Sequence, residues 1–330
     1  MVGVHPQSDQ LTHDAVLRRR RDRRTSTGKR VTPQERDLLW FEMLHRHGPL
    51  SSTYLHAFSR ELRVSEKRAR DRLTDLYNEE RTPHSGPYLD RPWQQFATFD
   101  SRYNDLVYDL APAAVAALKE AGRWSDYAPK PAGPWRHRYM VAAITASIEL
   151  ATLDDLNLTY IPQQAILARA GVQLRYPTSI INPATKRSET IDLIPDALFG
   201  LEYRHTGQPL YRFFLVEADR ATEPATSVRF NRKSYLRNLL QYEQYVGGGL
   251  YREHLRLTAG IMVLNVTTSE ETVARLIALA QALLPEGNPY LLFRAAETFG
   301  RYFKPAKPMR ELLSGPWARA GREAVRIGEV

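Results

Sequence analysis

Residues 194–224, IPDALFGLEYRHTGQPLYRFFLVEADRATEP, decide how the chain folds. DALFGLEY and LYRFFLVEA are rich in β-branched and aromatic residues, and Gly207-Gln208 between them suits a hairpin turn. LYRFFLVEAD nevertheless closes on Glu217 and Asp219, and Asp196 opens the strand before it. Antiparallel pairing sets the start of one strand beside the end of the next, so Asp196 is expected next to Glu217 and Asp219. Glu217 and Asp219 are two apart and so share a face. Three carboxylates at one edge of a hydrophobic sheet repel one another, and a divalent cation relieves this. Hard oxygen donors suit Mg²⁺ or Mn²⁺. A cation so held lowers the pKa of a bound water and steadies a phosphoryl transition state. Each acid also has a plain structural reading: a turn residue for Asp196, and ion pairs with Arg212, Arg220 or Arg229 for Glu217 and Asp219.

The surrounding residues, 136–300, read as an α/β domain. RHRYMVAAITASIELATL is an apolar helix, and VQLRYP joins the two strands above as a third. A long amphipathic helix follows in SVRFNRKSYLRNLLQYEQYVGGG, then a buried strand in HLRLTAGIMVLNVT, a helix in EETVARLIALAQALL and a short strand in PYLLFR. Helix, three strands, helix, strand, helix, strand implies a mixed sheet. Residues 301–330 have Pro and Gly breaks and read as a peripheral helix and arm.

Three prolines in YAPKPAGPW mark residues 127–135 as a linker, which leaves residues 32–126 as a separate domain. TPQERDLLWFEMLHRHG begins with a capping-box pattern, Thr32 with Glu35, and Pro33 at the first helical position. LSSTYLHAFSREL is a second helix. SEKRARDRLTDLYNEE is a third, capped by Ser65, with Ala69, Leu73 and Leu76 on its apolar face and Lys67, Arg68, Arg70 and Arg72 elsewhere. PYLDRPWQQFATFD and NDLVYDLAP then read as two strands around a polar loop carrying Arg102, and APAAVAALKEAG as a closing helix. This is the pattern of a winged helix-turn-helix, in which the third helix enters the DNA major groove and the loop touches the backbone. An ordinary solvated helix in a partner-binding module accounts for the same pattern.

Charge distribution favours nucleic acid. The chain has 330 residues, a net charge of +9 and a pI near 9.7. Residues 15–36 hold nine Lys or Arg against two acids. Residues 1–31 read as a disordered basic arm, with Arg18, Arg19, Arg20 and Arg21 as phosphate contacts that release counterions. With no cysteine, disulfides and Cys-based zinc sites are excluded and a reducing compartment fits. No apolar run reaches the roughly 18–20 residues of a membrane span, and the N-terminal residues hold no apolar signal core. A cytoplasmic, non-membrane protein is expected. The histidines show no metal spacing: His45 and His47 are two apart on a helix, and His137 stands between two arginines.

IPDALF followed by FFLVEAD, with Glu217 lying 21 residues after Asp196, resembles the P-D…(D/E)-x-K core of restriction-endonuclease-like nucleases. The two-domain order, with Pro195-Asp196-Ala197 and the string from Glu217 to Glu223, resembles the replication-relaxation family of plasmids and mobile elements. The resemblance implies Asp196 and Glu217 as metal ligands, Asp219 as a further one, and DNA as the partner. Asp219 stands where the nuclease pattern has a lysine. Some relatives supply that lysine from the following helix, and Lys233 is then the candidate, with Arg220, Arg229 and Arg232 nearby and Gln241 and Tyr242 further along facing the site. Taken alone, Lys233 is an ordinary solvated helix residue. Two functions follow: a Mg²⁺- or Mn²⁺-dependent enzyme that nicks or cleaves plasmid DNA, with catalytic Asp196, Glu217, Asp219 and Lys233, or a non-catalytic DNA-binding accessory factor with a degenerate nuclease fold. A scaffold contacting only protein is a third. A homodimer or a replication or mobilisation protein is a possible partner.

Overall fold

The computed structural model describes residues 21–97, 99–130, 133–183, 185–204, 207–220, 234–300 and 302–329. The chain divides into two compact units: Met1–His45 with Pro49–Trp124, and Arg46–Gly48 with Ser125–Val330. The boundary after Trp124 falls two residues before the expected one.

In the first unit α1 (Glu35–His47, whose last two residues belong to the second unit), α2 (Ser52–Phe58) and α3 (Glu66–Asn78) enclose Trp40, Phe41, Tyr54, Leu55, Leu73 and Leu76. Three short antiparallel strands, β1 (Leu50–Ser51), β2 (Leu89–Asp90) and β3 (Val107–Leu110), lie in the order β1-β3-β2. Helix α4 (Pro112–Glu120) closes the unit, with Pro112 in its first turn. The Ser65 hydroxyl caps α3 by accepting the Arg68 N–H. Three helices, short strands and a closing helix follow one another in the order read from the sequence.

Two details differ from expectation. The strand read across residues 87–100 stops at Asp90, because Pro92 has no N–H for the ladder. Two 3₁₀ turns, Trp93–Phe96 and Phe99–Tyr103, replace it. The arm is not free from residue 21 onward. Arg24 bonds the Tyr77 and Leu89 carbonyls and Asp90, and its guanidinium lies 4.3 Å from the Tyr77 ring centroid. Ser26 and Thr27 donate to Glu79, and Val31 is buried. Arg18, Arg19 and Arg20 lie outside the described residues.

In the second unit the apolar α5 (Trp135–Thr152) precedes a seven-stranded mixed sheet. Its strands are β4 (Leu158–Pro162), β7 (Ala197–Tyr203), β8 (Leu210–Asp219), β9 (Ile261–Thr267), β10 (Leu291–Ala295), β11 (Pro316–Arg319) and β12 (Arg322–Arg326), in the order β12-β11-β10-β9-β8-β7-β4. Strands β8, β9 and β10 are parallel and need crossovers, which carry α7 (Tyr235–Tyr242) and α8 (Glu270–Leu283). The expected β7–β8 hairpin is present, and Gly207 turns it at φ 81°, in the left-handed region that favours glycine.

The third strand of the sheet is not VQLRYP. Beside β7 lies β4, whose Pro162 suits an edge strand. VQLRYP instead leads into β5 (Tyr176–Ile181), which pairs with β6 (Ser188–Leu193) as a separate two-stranded sheet beyond α6 (Gln163–Ala170). The C-terminal residues are not peripheral: β11 and β12 extend the sheet, Trp317 is fully buried, and its indole N–H donates to the Leu312 carbonyl at 2.9 Å. No helix among the described residues is long and apolar enough to cross a membrane.

Candidate functional site

Strand register builds an acidic corner in the second unit. Ala197 pairs with Val216, which sets Asp196 beside Glu217. The Asp196 N–H donates to the Val216 carbonyl at 3.0 Å, and the Ala218 N–H donates to Asp196 Oδ2 at 2.8 Å. The Asp196 carboxylate is thereby held against the end of β8. On the next strand Glu217 pairs with Asn265 and Asp219 with Thr267. Alternation puts Glu217, Asp219, Asn265 and Thr267 on one face, the face that carries Leu215 and Val263 into the core under α7.

Glu217 and Asn265 each have a defined neighbour on α7. Tyr242 of α7 donates its hydroxyl to Glu217 Oε1. Burial first, and then the charge of Glu217, push the Tyr242 phenol well above its ordinary value, so it stays protonated and donates. Tyr235 donates to Asn265 Oδ1 at 2.9 Å. Tyr242 therefore faces the site as the sequence suggests. Gln241 does not: its amide donates to Thr178 and Ile191 of the β5–β6 hairpin. Lys233, Arg229 and Arg232 lie outside the described residues.

His137 is the residue that sequence reading misses. Its Nε2 lies 2.9 Å from Asp196 Oδ1. No spacing rule finds it, because its partner is 59 residues away. Basic groups border the same corner. Partial burial, followed by the charge of Arg136, lowers the Arg220 guanidinium from its ordinary value, so the two cations lie near each other.

Thr267 carries a second signal. Its hydroxyl is buried and has no hydrogen-bond partner. A buried unsatisfied polar group costs about 1–3 kcal/mol. Register places it on the face of Glu217 and Asp219, where an oxygen-bearing ligand would relieve that cost. Thr267→Val keeps the shape and removes the cost. The variant is expected to melt at or above the wild-type temperature while its metal- or DNA-dependent thermal shift falls. A lower Tm together with an intact ligand shift would sink this assignment.

Among the described residues no three His, Asp or Glu side chains converge to hold a metal. The donor set therefore does not fit an all-protein cage. A cation there would be held by at most one or two carboxylates, with waters or substrate oxygens completing its shell, the mode in which Mg²⁺ is bound.

In the first unit Lys67, Arg68 and Arg70 are exposed on α3. Arg70 pairs with Glu66 one turn back at 3.5 Å. Arg72 is turned the other way: its Nε and Nη2 bond both oxygens of Asp37, and Nη2 also donates to the Thr32 carbonyl at 2.7 Å. Asp37 is 0% exposed, so Arg72 is committed to the core and is no phosphate contact. Arg21 is also committed, donating to the Ser101, Arg102 and Asn104 carbonyls. Burial lowers its pKa first, and Arg91 lowers it further. Arg102 remains exposed, with its guanidinium 5.0 Å from the Tyr103 ring centroid.

The family model for replication-relaxation matches residues 41–260. No curated protein and no solved structure matches the chain.

Proposed function

The chain belongs to the replication-relaxation family, which associates it with DNA replication, and from that premise we propose that it binds plasmid or mobile-element DNA through its first unit and nicks or cleaves it at the acidic corner of the second. The observation that carries this reading is the corner itself: Asp196 beside Glu217 at the end of a hydrophobic sheet, with the unpartnered Thr267 hydroxyl on the same face as Glu217 and Asp219.

The chain's own residues would act as follows. Lys67, Arg68, Arg70 and Arg102 contact DNA phosphates or groove edges. Asp196, oriented by the Ala218 N–H and His137, and Glu217, oriented by Tyr242, hold a Mg²⁺ or Mn²⁺, with Asp219 as an outer ligand. When bound, such an ion polarises the phosphate and lowers the pKa of a water. Arg136 and Arg220 hold the phosphate, and Lys233 takes the lysine role of the nuclease pattern.

The accessory-factor reading has one observation in its favour. Both Asp196 oxygens and one Glu217 oxygen already have protein partners, as in a site retired from metal binding. A supercoiled-plasmid assay with Mg²⁺ or Mn²⁺ separates the two. Metal-dependent nicking by wild type, lost in Asp196→Ala, is expected. In a parallel gel shift, Lys67→Ala/Arg68→Ala is expected to flatten the salt slope by about 0.9 per contact removed. Intact binding with no nicking under either metal sinks the nuclease, and a salt-independent gel shift sinks the DNA contact.

A further inference from the structure

The loop between β2 and β3 has a feature that phosphate contact does not use. Trp93 and Tyr103 are each 72% exposed, although both are large aromatic side chains. Trp93 opens the first 3₁₀ turn and Tyr103 ends the second, and the two turns pack against each other.

The backbone beneath them is pinned. The Gln95 amide donates to the Val107 carbonyl at 2.9 Å and accepts the Val107 N–H at 2.8 Å, as a missing strand residue would. It also donates to Pro92 at 3.1 Å. Arg21 gathers the carbonyls of Ser101, Arg102 and Asn104 at the other end. The two turns are thus held at both ends while Trp93 and Tyr103 stay 72% exposed, with Arg102 over one face of the Tyr103 ring. A floppy tip would lose much of any stacking energy to ordering, whereas a pinned one does not. Elsewhere in the unit, aromatic faces are covered: Arg24 and Arg91 lie over Tyr77, and Tyr88 stacks on Phe41.

A duplex offers a wing its phosphates and groove edges, and its base faces stay inside the stack. Arginine and lysine suffice for that contact. Exposed aromatic faces next to a cation gain only when bases are unstacked, by about 1–3 kcal/mol per base. Arg102 beside Tyr103 supplies the cation. We propose that Trp93 and Tyr103 form a stacking site for unpaired nucleobases, so that the protein binds duplex DNA adjoining a single-stranded segment. This rests on the first unit being the DNA-binding unit and is independent of nuclease activity in the second.

The test uses the full chain and two fluorescein-labelled DNAs of equal duplex length, one blunt and one with a single-stranded tail. Trp93→Ala and Tyr103→Ala are expected to weaken binding of the tailed DNA by roughly 5- to 150-fold each and to leave blunt-duplex binding within about twofold. Trp93→Phe and Tyr103→Phe keep a π-face and should retain most of the tailed-DNA affinity. Lys67→Ala/Arg68→Ala should weaken both DNAs. Equal effects of the alanine variants on both DNAs, or none on either, overturn the stacking site while DNA binding itself stands. Failure of wild type to bind either DNA overturns both readings at once. At this exposure the substitutions are expected to cost no more than about 0.5 kcal/mol of stability, and a melt of each variant checks it.

Discussion

Arg72→Ala is expected to lower the stability of the first unit by about 3–5 kcal/mol, the cost of leaving one partner of a buried ion pair alone. Asp37 is fully buried, and Arg72 supplies three charge-assisted contacts to its carboxylate, the shortest at 2.6 Å. Without Arg72 the carboxylate keeps the Gln34 N–H at 2.9 Å and the more distant Arg36 Nε at 3.9 Å. Neither replaces a bidentate guanidinium. The Thr32 carbonyl also loses its donor. Arg68→Ala, one turn back on the same helix but exposed, should stay within about 0.5 kcal/mol. Urea unfolding of the two variants makes the comparison. Replacing the pair together, Asp37→Leu/Arg72→Leu, should recover much of the loss, because no stranded charge remains. An Arg72→Ala variant as stable as Arg68→Ala, yet unable to bind DNA, would return Arg72 to the DNA surface.

That contrast shows where sequence reading stops. Arg68 and Arg72 are four apart and look alike on a helical wheel. Arg72 nevertheless flanks the buried stripe of Ala69, Leu73 and Leu76, and its partner is 35 residues earlier. A signal was present: Asp37 sits at i, i+4, i+7 with Phe41 and Leu44, an acid on an apolar stripe that calls for a buried cation. The acidic corner was legible because hairpin pairing is local, so the register of β7 and β8 follows from one turn. His137, Asn265 and Thr267 reach the same corner from α5 and β9, and only tertiary packing brings them there. The last two strands were hidden for another reason. Strand β12 lies at the sheet edge and is mostly exposed, with arginines along it, so it has no alternating pattern to read. Gly321 at φ 66° between β11 and β12 is the one local mark of that hairpin.

Glu149→Ala should destabilise the second unit by a similar 3–5 kcal/mol, and the wild type should already show the network's sensitivity as a pH dependence. Arg46 pairs with Glu149 Oε1, and His47 Nε2 lies 2.8 Å from Oε2. The other ring nitrogen, Nδ1, lies 2.9 Å from the Thr145 hydroxyl. Burial lowers the His47 pKa, and the pull of Glu149 does not overcome it. The ring is therefore neutral, donates from Nε2 to Glu149 and accepts the Thr145 hydroxyl at Nδ1. Burial would raise Glu149, but the hydrogen bond from His47 and the Arg46 charge hold it below its ordinary value. Both folded-state values are depressed, so in both cases the unfolded chain binds protons more readily, and stability is lost as the pH falls. The His47 contribution is fully present above about pH 6.5 and is lost as pH drops through that group's depressed value. The Glu149 contribution is present above the ordinary glutamate value of about 4.5 and is lost as pH falls from there through the group's depressed folded value. Urea midpoints of the second unit's transition from pH 8 to about pH 3 should therefore decline in two stages. His47→Asn should remove the upper stage and leave the lower one. A wild-type midpoint that stays flat from pH 7 to 5 would show that His47 is not held neutral by burial, and that the Arg46–Glu149 pair carries the network without it.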